Sequence, residues 1–247
     1  TGQFRMYLQP LVRADRTLKG AEALARWVHP ARGLIMPVNF ISVVEKTGLI
    51  SKLDEYMWEL AARKLREWKD IGRDNLTISV NISAKDFYYT DLYKTFTGLV
   101  EKYGIAPGNL NLEITETVLM SDLQHHMETL TRLQDYGFVI ELDDFGSGYS
   151  SLNMLKDITA DVLKIDMLFL RETEHTVRNR IILQSVISMA KQLGMAVITE
   201  GVETEEQLES LKKMGCELFQ GYYFSRPIAV EEFEQKYIGG TAGRKRR

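Results

Sequence analysis

The chain has 247 residues, of which 45% are hydrophobic and 26% charged, and it carries a formal net charge of −3 at pH 7. This ordinary globular composition excludes disordered, collagen-like and membrane-spanning classes, and the slight acidity argues against a polynucleotide partner held by its phosphate backbone. The single cysteine, Cys216, excludes an internal disulfide and a cysteine-based zinc cluster, and it favours a reducing, cytoplasmic compartment. Residue 1 is Thr rather than Met, so we expect a piece of a longer protein.

Short β-rich runs alternate with amphipathic helical stretches along nearly the whole chain. The predicted strands are residues 4–10, 20–26, 76–83, 110–115, 138–144, 161–166, 196–200 and 217–221. The predicted helices are residues 38–47, 54–69, 92–103, 123–136, 177–193 and 205–214. Gly137 and Gly194 directly follow two of these helices, as helix-ending glycines do. Eight strands alternating with helices in a chain of this length predict a closed α/β barrel.

The start of the chain departs from that pattern. Only residues 11–19 separate the first two predicted strands, and a parallel crossover needs about a dozen residues or more. We therefore predict an antiparallel hairpin, which gives a barrel with one reversed strand. One barrel domain is expected over residues 1–240, followed by a basic tail, 241–247, that we interpret as a frayed end or a remnant of cloning.

Polar side chains stand at the predicted carboxyl ends of the strands, where α/β barrels place their functional groups. In chain order they are Glu22, Asn81, Glu113, Asp143, Asp144, Lys164, Glu200 and Gln220. Each one alone is more typical of a structural ion pair, but so many carboxylate and amide oxygens are hard to bury together without positive charge among them. Oxygen ligands of this kind favour Mg²⁺ or Mn²⁺ over zinc.

Asp143 and Asp144 are adjacent, so strand alternation would turn one of them away from the interior. Gly146 and Gly148 permit a sharp turn that could bring both carboxylates inward. Two such carboxylates could bridge two metal ions about 4 Å apart, an arrangement used for in-line phosphoryl displacement. The alternative is an acidic turn that caps the next helix.

Two cations accompany these acids. Lys164 lies inside an apolar strand, and Asp166 is expected on the same side of it, which permits a structural ion pair. The functional alternative directs the ammonium at an attacking water or a phosphoryl oxygen. Arg26 follows Glu22 by four residues and is a candidate phosphate clamp, because a guanidinium binds phosphate oxygens in bidentate fashion.

The histidines do not suggest a metal site. His125 and His126 are adjacent on a predicted helix and point in different directions, and we expect both to face solvent. His29 and His175 lie in loop-like stretches without an identifiable partner.

Eight motifs in order along the chain resemble the EAL domains, which are bacterial phosphodiesterases specific for cyclic di-GMP. They are YLQP (7–10), EALARW (22–27), VNIS (80–83), LEITE (112–116), DDFGSGYSSL (143–152), LKID (163–166), ITEGVET (198–204) and QGYYFSRP (220–227). Eight motifs at family spacing make the resemblance far more specific than any single one. The resemblance implies a TIM-like (β/α)8 barrel with one antiparallel strand, and hydrolysis of cyclic di-GMP to linear 5′-pGpG with two Mg²⁺ or Mn²⁺ ions.

The resemblance also implies roles for individual residues. Those that resemble metal ligands are Glu22, Asn81, Glu113 and Asp143 for one ion and Asp143 with Asp144 for the second. Lys164 and Glu200 resemble the groups that position and deprotonate the attacking water, and Glu116, placed where the chain enters a loop, resembles the residue that anchors the DDFG loop. Those that resemble substrate-binding residues are Gln9, Leu24, Arg26 and Gln220.

Family members often pair through the helix after the DDFG loop, so the resemblance implies a homodimer. It also implies fusion to regulatory or cyclase domains in a parent protein that could be membrane-anchored. Two alternatives of other classes stay open. One is a receptor that binds cyclic di-GMP without hydrolysing it, and the other is a barrel glycosidase that uses paired carboxylates without a metal.

Overall fold

The computed structural model of the protein describes residues 2–145, 158–166 and 177–239. The predicted turn at Gly146 and Gly148, His175 and the predicted tail 241–247 lie outside the described residues.

The strands of the described residues form one sheet that closes on itself. They are β1 (Phe4–Arg13), β2 (Leu18–His29), β3 (Gly33–Ile35), β4 (Thr77–Asn81), β5 (Leu110–Thr115), β6 (Ile140–Phe145), β7 (Val162–Ile165), β8 (Ala196–Thr199), β9 (Leu218–Phe219) and β10 (Ile228–Ala229). Their order is β10-β1-β9-β8-β7-β6-β5-β4-β2-β3, and a further pairing of β1 with β2 closes the barrel. The predicted α/β barrel is therefore confirmed.

Strand β1 is the reversed strand of the barrel. It pairs antiparallel with β2 from Phe4 opposite Trp27 to Val12 opposite Leu18, and antiparallel with β9 on its other side. The barrel pairings from β2 through β4 to β9 are parallel. The hairpin follows from the short β1–β2 connection, as predicted. The sequence reading missed β3 and β10, which have three and two residues and are too short to show a periodic pattern.

Helices connect the strands of the barrel. They are α1 (Ile41–Lys46), α2 (Ile50–Asp70), α3 (Asp86–Tyr89), α4 (Leu92–Tyr103), α5 (Glu116–Ser121), α6 (Leu123–Tyr136), α7 (Val177–Gln192), α8 (Glu205–Lys213) and α9 (Val230–Phe233). A π-helical turn follows α9, at Glu234–Ile238, and two 3₁₀ turns cover Pro37–Asn39 and Pro107–Asn109. Within the described residues, none of these helices has the length and apolarity needed to cross a membrane.

Helix α2 shows how the helices are held against the barrel. Leu53, Met57 and Ala61 recur at three-to-four-residue spacing and are buried, and burial of each larger apolar side chain stabilises the fold by roughly 1.5–3 kcal/mol. On the same helix, the indole Nε1 of Trp58 donates a hydrogen bond to the carbonyl oxygen of Asn81, at 2.9 Å. This bond ties α2 to the carboxyl end of β4.

The two adjacent histidines of α6 have opposite environments. His125 is exposed as predicted, but the prediction that His126 faces solvent is wrong, because His126 is fully buried. Successive helical residues differ by about 100°, so His126 shares the buried face of α6 with Leu130 and Leu133. Its ring packs on Phe87 with the ring centroids 4.0 Å apart. Burial lowers the pKa of His126, which favours the neutral ring.

Candidate active site

The parallel strands bring their carboxyl ends to one rim of the barrel, and register decides which side chains meet there. Asn81 at the end of β4 lies opposite Glu113 on β5, and Gln9 on β1 lies opposite Glu22 on β2. Residues level with one another on neighbouring strands point to the same side of the sheet. Glu200 directly follows β8 and Gln220 directly follows β9. These predicted site residues therefore come from different strands and converge.

Lys164 on β7 lies at the centre of this group, with its side chain almost fully buried. Its Nζ is 2.7 Å from Oε1 of Glu200, 3.2 Å from Oδ1 of Asp143 and 3.8 Å from Oε2 of Glu22, and it also contacts Glu113. One ammonium therefore faces carboxylates from four other strands or strand ends. With all of them ionised, this group carries an excess of negative charge inside the barrel.

The pKa values reflect that excess. Burial, together with the neighbouring Glu22, raises the pKa of Glu113 well above its usual value, and burial raises the pKa of Glu200 to about 8. Burial opposes ionisation of Lys164 and Asp143 as well, but their mutual attraction prevails. The surrounding carboxylates hold the pKa of Lys164 well above its usual value, and Lys164 keeps the pKa of Asp143 below its own.

A carboxylate cluster in the described residues has the geometry to hold a metal ion. Carboxylate oxygens of Glu22, Glu113 and Glu200 all lie within 4.8 Å of one another. The donor atoms are all oxygens, and the surrounding negative charge is only partly balanced by Lys164. Such a set fits a hard divalent cation such as Mg²⁺ or Mn²⁺. Asn81, level with Glu113 on the neighbouring strand, is exposed at the rim.

Asp143 and Asp144 lie at an irregularity in the pairing of β6 with β7, between Leu142 and Phe145. Asp144 has a φ of 56°, a left-handed conformation that residues other than glycine seldom adopt. A bulge of this kind interrupts the alternation of side chains along a strand and re-aims them. The pKa of Asp144 is raised by burial and by the neighbouring Asp143. The turn predicted from the two glycines begins two residues after Asp144, outside the described residues.

A cleft with a volume of about 360 Å³ opens above the cluster. Of the predicted substrate-binding residues, Gln9, Leu24 and Gln220 line it. The amide Nε2 of Gln220 donates hydrogen bonds to Glu22 Oε2 at 2.5 Å and to Gln9 Oε1 at 3.2 Å. The predicted substrate residues thus connect directly to the carboxylate cluster.

Arg26 points along the same face of β2 as Glu22 and Leu24 but does not line that cleft. Its guanidinium lies 5.8 Å from the ring centroid of Tyr7, and Nη1 donates to the carbonyl oxygen of Ala25 at 2.9 Å. The arginine is nearly fully buried. It therefore stands beside the cleft, held against β1.

Five residues that line the cleft were not predicted as site residues: Asp166, Gly201, Glu203, Gly221 and Tyr222. Each belongs to a motif already noted, namely LKID, ITEGVET and QGYYFSRP. Each lies one to three residues after Lys164, Glu200 or Gln220 in the sequence, and this closeness to predicted site residues could have indicated them.

Glu116 was expected where the chain enters a loop, and this expectation is wrong. It is the first residue of α5, which follows β5 without an intervening loop. Thr115 caps the helix, because its side chain accepts a hydrogen bond from the backbone N–H of Val118 at 3.3 Å. An acidic residue in the first turn also suits the positive end of the helix dipole. Most of the loop that Glu116 was expected to anchor lies outside the described residues.

Comparison with known proteins bears on this site. A family model described as the EAL domain matches residues 1–227. The chain is 38% identical over 239 residues to the cyclic di-GMP phosphodiesterase NbdA of Pseudomonas aeruginosa, which covers 95% of this chain and 30% of that protein. It is also 38% identical over 231 residues to the bifunctional diguanylate cyclase/cyclic di-GMP phosphodiesterase MucR of the same organism, covering 93% of this chain and 34% of that protein.

The solved structures agree with the sequence relatives. The structure of the PaMucR phosphodiesterase in complex with c-di-GMP superposes with a TM-score of 0.88 at 37% identity, covering 94% of both chains. The chain therefore spans about a third of the length of the two relatives above and nearly the whole of this solved domain. The similarity includes the barrel and the rim on which the carboxylate cluster lies.

Proposed function

The chain belongs to the EAL domain family, and from this we propose that it hydrolyses cyclic di-GMP to linear 5′-pGpG with the help of two Mg²⁺ or Mn²⁺ ions. The observation that carries the proposal is the largely buried cluster of Glu22, Glu113 and Glu200 around Lys164, at the floor of a cleft on the carboxyl rim. Relatives named as cyclic di-GMP phosphodiesterases support the same activity.

The reaction balances as a hydrolysis. The oxygen of a water attacks phosphorus, the bond from phosphorus to the ribose 3′-oxygen breaks, and that oxygen leaves with a proton. The proposed metal-binding residues are Glu22, Asn81, Glu113 and Asp143 for one ion and Asp143 with Asp144 for the other. A bound divalent ion supplies charge neutralisation on the phosphoryl oxygens and lowers the pKa of a nearby water.

The chain's own groups handle the proton and the orientation. Glu200 is proposed to take a proton from the attacking water. Burial raises its pKa to about 8, so at neutral pH it is largely protonated without a metal ion nearby, and a bound divalent cation would favour the ionised form that accepts the proton. Lys164 holds Glu200 in place at 2.7 Å and balances part of the negative charge on the cluster. Lys164 is almost fully buried and the Glu200 side chain is 19% exposed, so solvent weakens their interaction only in part.

Substrate binding is assigned to residues on the β1, β2 and β9 side of the cleft. Leu24 offers an apolar surface, and Gln9 and Gln220 offer amide groups that already hydrogen-bond to each other. Arg26 would contact a phosphate oxygen, which requires its guanidinium to turn from Tyr7 toward the cleft. Glu116, at the start of α5, would position the DDFG loop.

The wider setting is part of the proposal. We infer one barrel domain over residues 1–240, a homodimer, and a cytoplasmic site of action, with regulatory or cyclase domains in the parent protein. MucR is named as a bifunctional cyclase and phosphodiesterase, and the chain spans only about a third of it and of NbdA. Both observations support a multidomain parent.

Product analysis tests the activity. The chain is incubated with cyclic di-GMP in Mg²⁺, in Mn²⁺ or in excess chelator, and the nucleotides are separated by chromatography. We expect linear 5′-pGpG with either metal and none with chelator, with the exposed-helix variant Glu209→Gln behaving as the parent does. Binding of cyclic di-GMP without product in any metal would identify a receptor, and metal-independent turnover would contradict the metal site.

A further inference from the structure

A second layer of polar side chains lies inside the barrel, directly beneath the carboxylate cluster. Ser79 on β4, Asn111 on β5 and Glu141 on β6 each stand two residues before the proposed metal ligand of their own strand. Residues two apart on a strand point to the same side, so these three face the barrel interior one step below the rim. All three are at least nine-tenths buried.

The three side chains form one polar group, which we call the polar clamp. The amide Nδ2 of Asn111 donates to Oε1 of Glu141 at 2.7 Å, and the Ser79 hydroxyl interacts with the same carboxyl and lowers its pKa, against the larger effect of burial, which raises it. Strand β5 lies between β4 and β6 in the sheet. Glu141 therefore reaches across its neighbour and joins three successive strands through their side chains.

Packing alone does not require a carboxyl group at this position. Val162, the register partner of Glu141 on β7, is buried in an apolar cluster with Leu11 and Ile198. On its β7 side, the barrel interior next to Glu141 is thus filled by hydrocarbon. Burying a carboxyl group costs free energy unless it is well hydrogen-bonded, so its presence indicates a task other than filling space.

The backbone of β6 suggests what that task is. Its pairing with β7 becomes irregular between Leu142 and Phe145, and Leu142 is the residue that follows Glu141. The end of β6, which carries Asp143, is therefore less firmly held on its β7 side. The polar clamp acts from the opposite side, through β5 and β4, and fixes β6 just before the irregularity.

We propose that Glu141 is a positioning residue: through the polar clamp it sets the lateral spacing of the ends of β4, β5 and β6, and with it the separation of the side chains that hold metal. The inference rests on the proposed function, because it takes the rim cluster to be a metal site. It predicts that metal affinity depends on a residue that does not touch the ion, as second-layer partners of metal ligands commonly do.

The test measures metal binding directly, in the absence of substrate. Calorimetric titration with Mn²⁺ compares the parent chain with Glu141→Ala, Glu141→Gln and Val162→Ala. We expect Glu141→Ala to weaken Mn²⁺ binding by about 10–100-fold. Glutamine keeps the size and an acceptor oxygen for Asn111, so Glu141→Gln is expected to stay within about threefold of the parent. Val162→Ala makes a cavity in the same layer and should lower the melting temperature without changing Mn²⁺ affinity.

Several outcomes would overturn the inference. Unchanged Mn²⁺ affinity in folded Glu141→Ala would do so, and so would an equal loss in Val162→Ala, which would indicate general loosening. An equal loss in Glu141→Gln and Glu141→Ala would assign the effect to charge rather than to the hydrogen bonds.

Two further results complete the test. If Glu141→Ala does not fold, Ser79→Ala removes one polar group of the polar clamp with little change in volume. A loss of about 2–10-fold in its Mn²⁺ affinity supports the inference, and an unchanged affinity refutes it. A parent chain that binds no Mn²⁺ would refute the proposed metal site and the inference together, whereas a binding parent with unaffected variants refutes the inference alone.

Discussion

Replacing Lys164 by methionine should destabilise the chain strongly, because methionine has a similar length but no charge. The ammonium lies 2.7 Å from Glu200 and 3.2 Å from Asp143, and its side chain is 2% exposed. Removing one partner of a buried ion pair costs roughly 3–5 kcal/mol. For a chain of this size each kcal/mol corresponds to roughly 2–4 °C in melting temperature, so we expect a fall of about 6–20 °C.

The measurement is thermal unfolding in excess chelator, followed by the same scan in Mg²⁺. Mg²⁺ should raise the melting temperature of Lys164→Met more than that of the parent, because carboxylates without their ammonium gain more from a bound cation. Lys102→Met is the matched control, since Lys102 also lies close to a glutamate, 2.6 Å from Glu59, but is largely exposed. A Lys164→Met chain as stable as the parent in chelator would refute the charge argument.

Further variants probe the roles of single residues. Asp144→Asn should lower kcat by several orders of magnitude, whereas Arg26→Ala should also raise KM, because phosphate contacts exist already in the bound substrate. Steady-state kinetics separates the two effects. Near-normal turnover by Asp144→Asn would mean that the second metal is misassigned. Glu116→Ala should keep the fold and lower the hydrolysis rate by about 10–100-fold. A rate that depends on Mg²⁺ concentration as it does in the parent would show that Glu116 does not position the loop. Burial, with the neighbouring Asp86, raises the pKa of Asp54 to about 8. The folded state thus keeps a proton on Asp54 that the unfolded chain releases above about pH 4. The free energy of unfolding therefore falls as the pH rises toward 8. Asp54→Asn should flatten this decline in melting temperature between pH 5 and pH 9, and parallel curves for the two chains would contradict the assignment.

The barrel was predictable because its signals are long and repeated. Strand β5 and helices α4 and α6 have the predicted bounds, since apolar periodicity extends over the whole of each element. The hairpin followed from the length of the connection between β1 and β2 alone. The start of α5 was missed because Thr115 ends a strand and caps a helix at once, which leaves no loop to mark the boundary. His126 was misplaced because two adjacent polar residues do not by themselves reveal which one faces the core.

The site was predictable to the extent that topology places it. Polar residues at strand ends must converge in a closed parallel barrel, and the structure brings Glu22, Glu113 and Glu200 together around Lys164. The left-handed backbone of Asp144 could not be foreseen, because it depends on how the neighbouring strand pairs.

The polar clamp was missed for a related reason. A single serine, asparagine or glutamate inside a strand does not show from its own sequence that it faces the barrel interior. Ser79, Asn111 and Glu141 form one group only after the register of three strands is known.

The central claim is that this chain directs a water molecule at phosphorus in a metal-dependent hydrolysis. Reaction with cyclic di-GMP in ¹⁸O-labelled water, followed by mass spectrometry of the product, tests it most directly. The account predicts Mg²⁺- or Mn²⁺-dependent 5′-pGpG with one ¹⁸O atom in the new terminal phosphate. Product without the label, or labelled product formed at full rate in excess chelator, would contradict it.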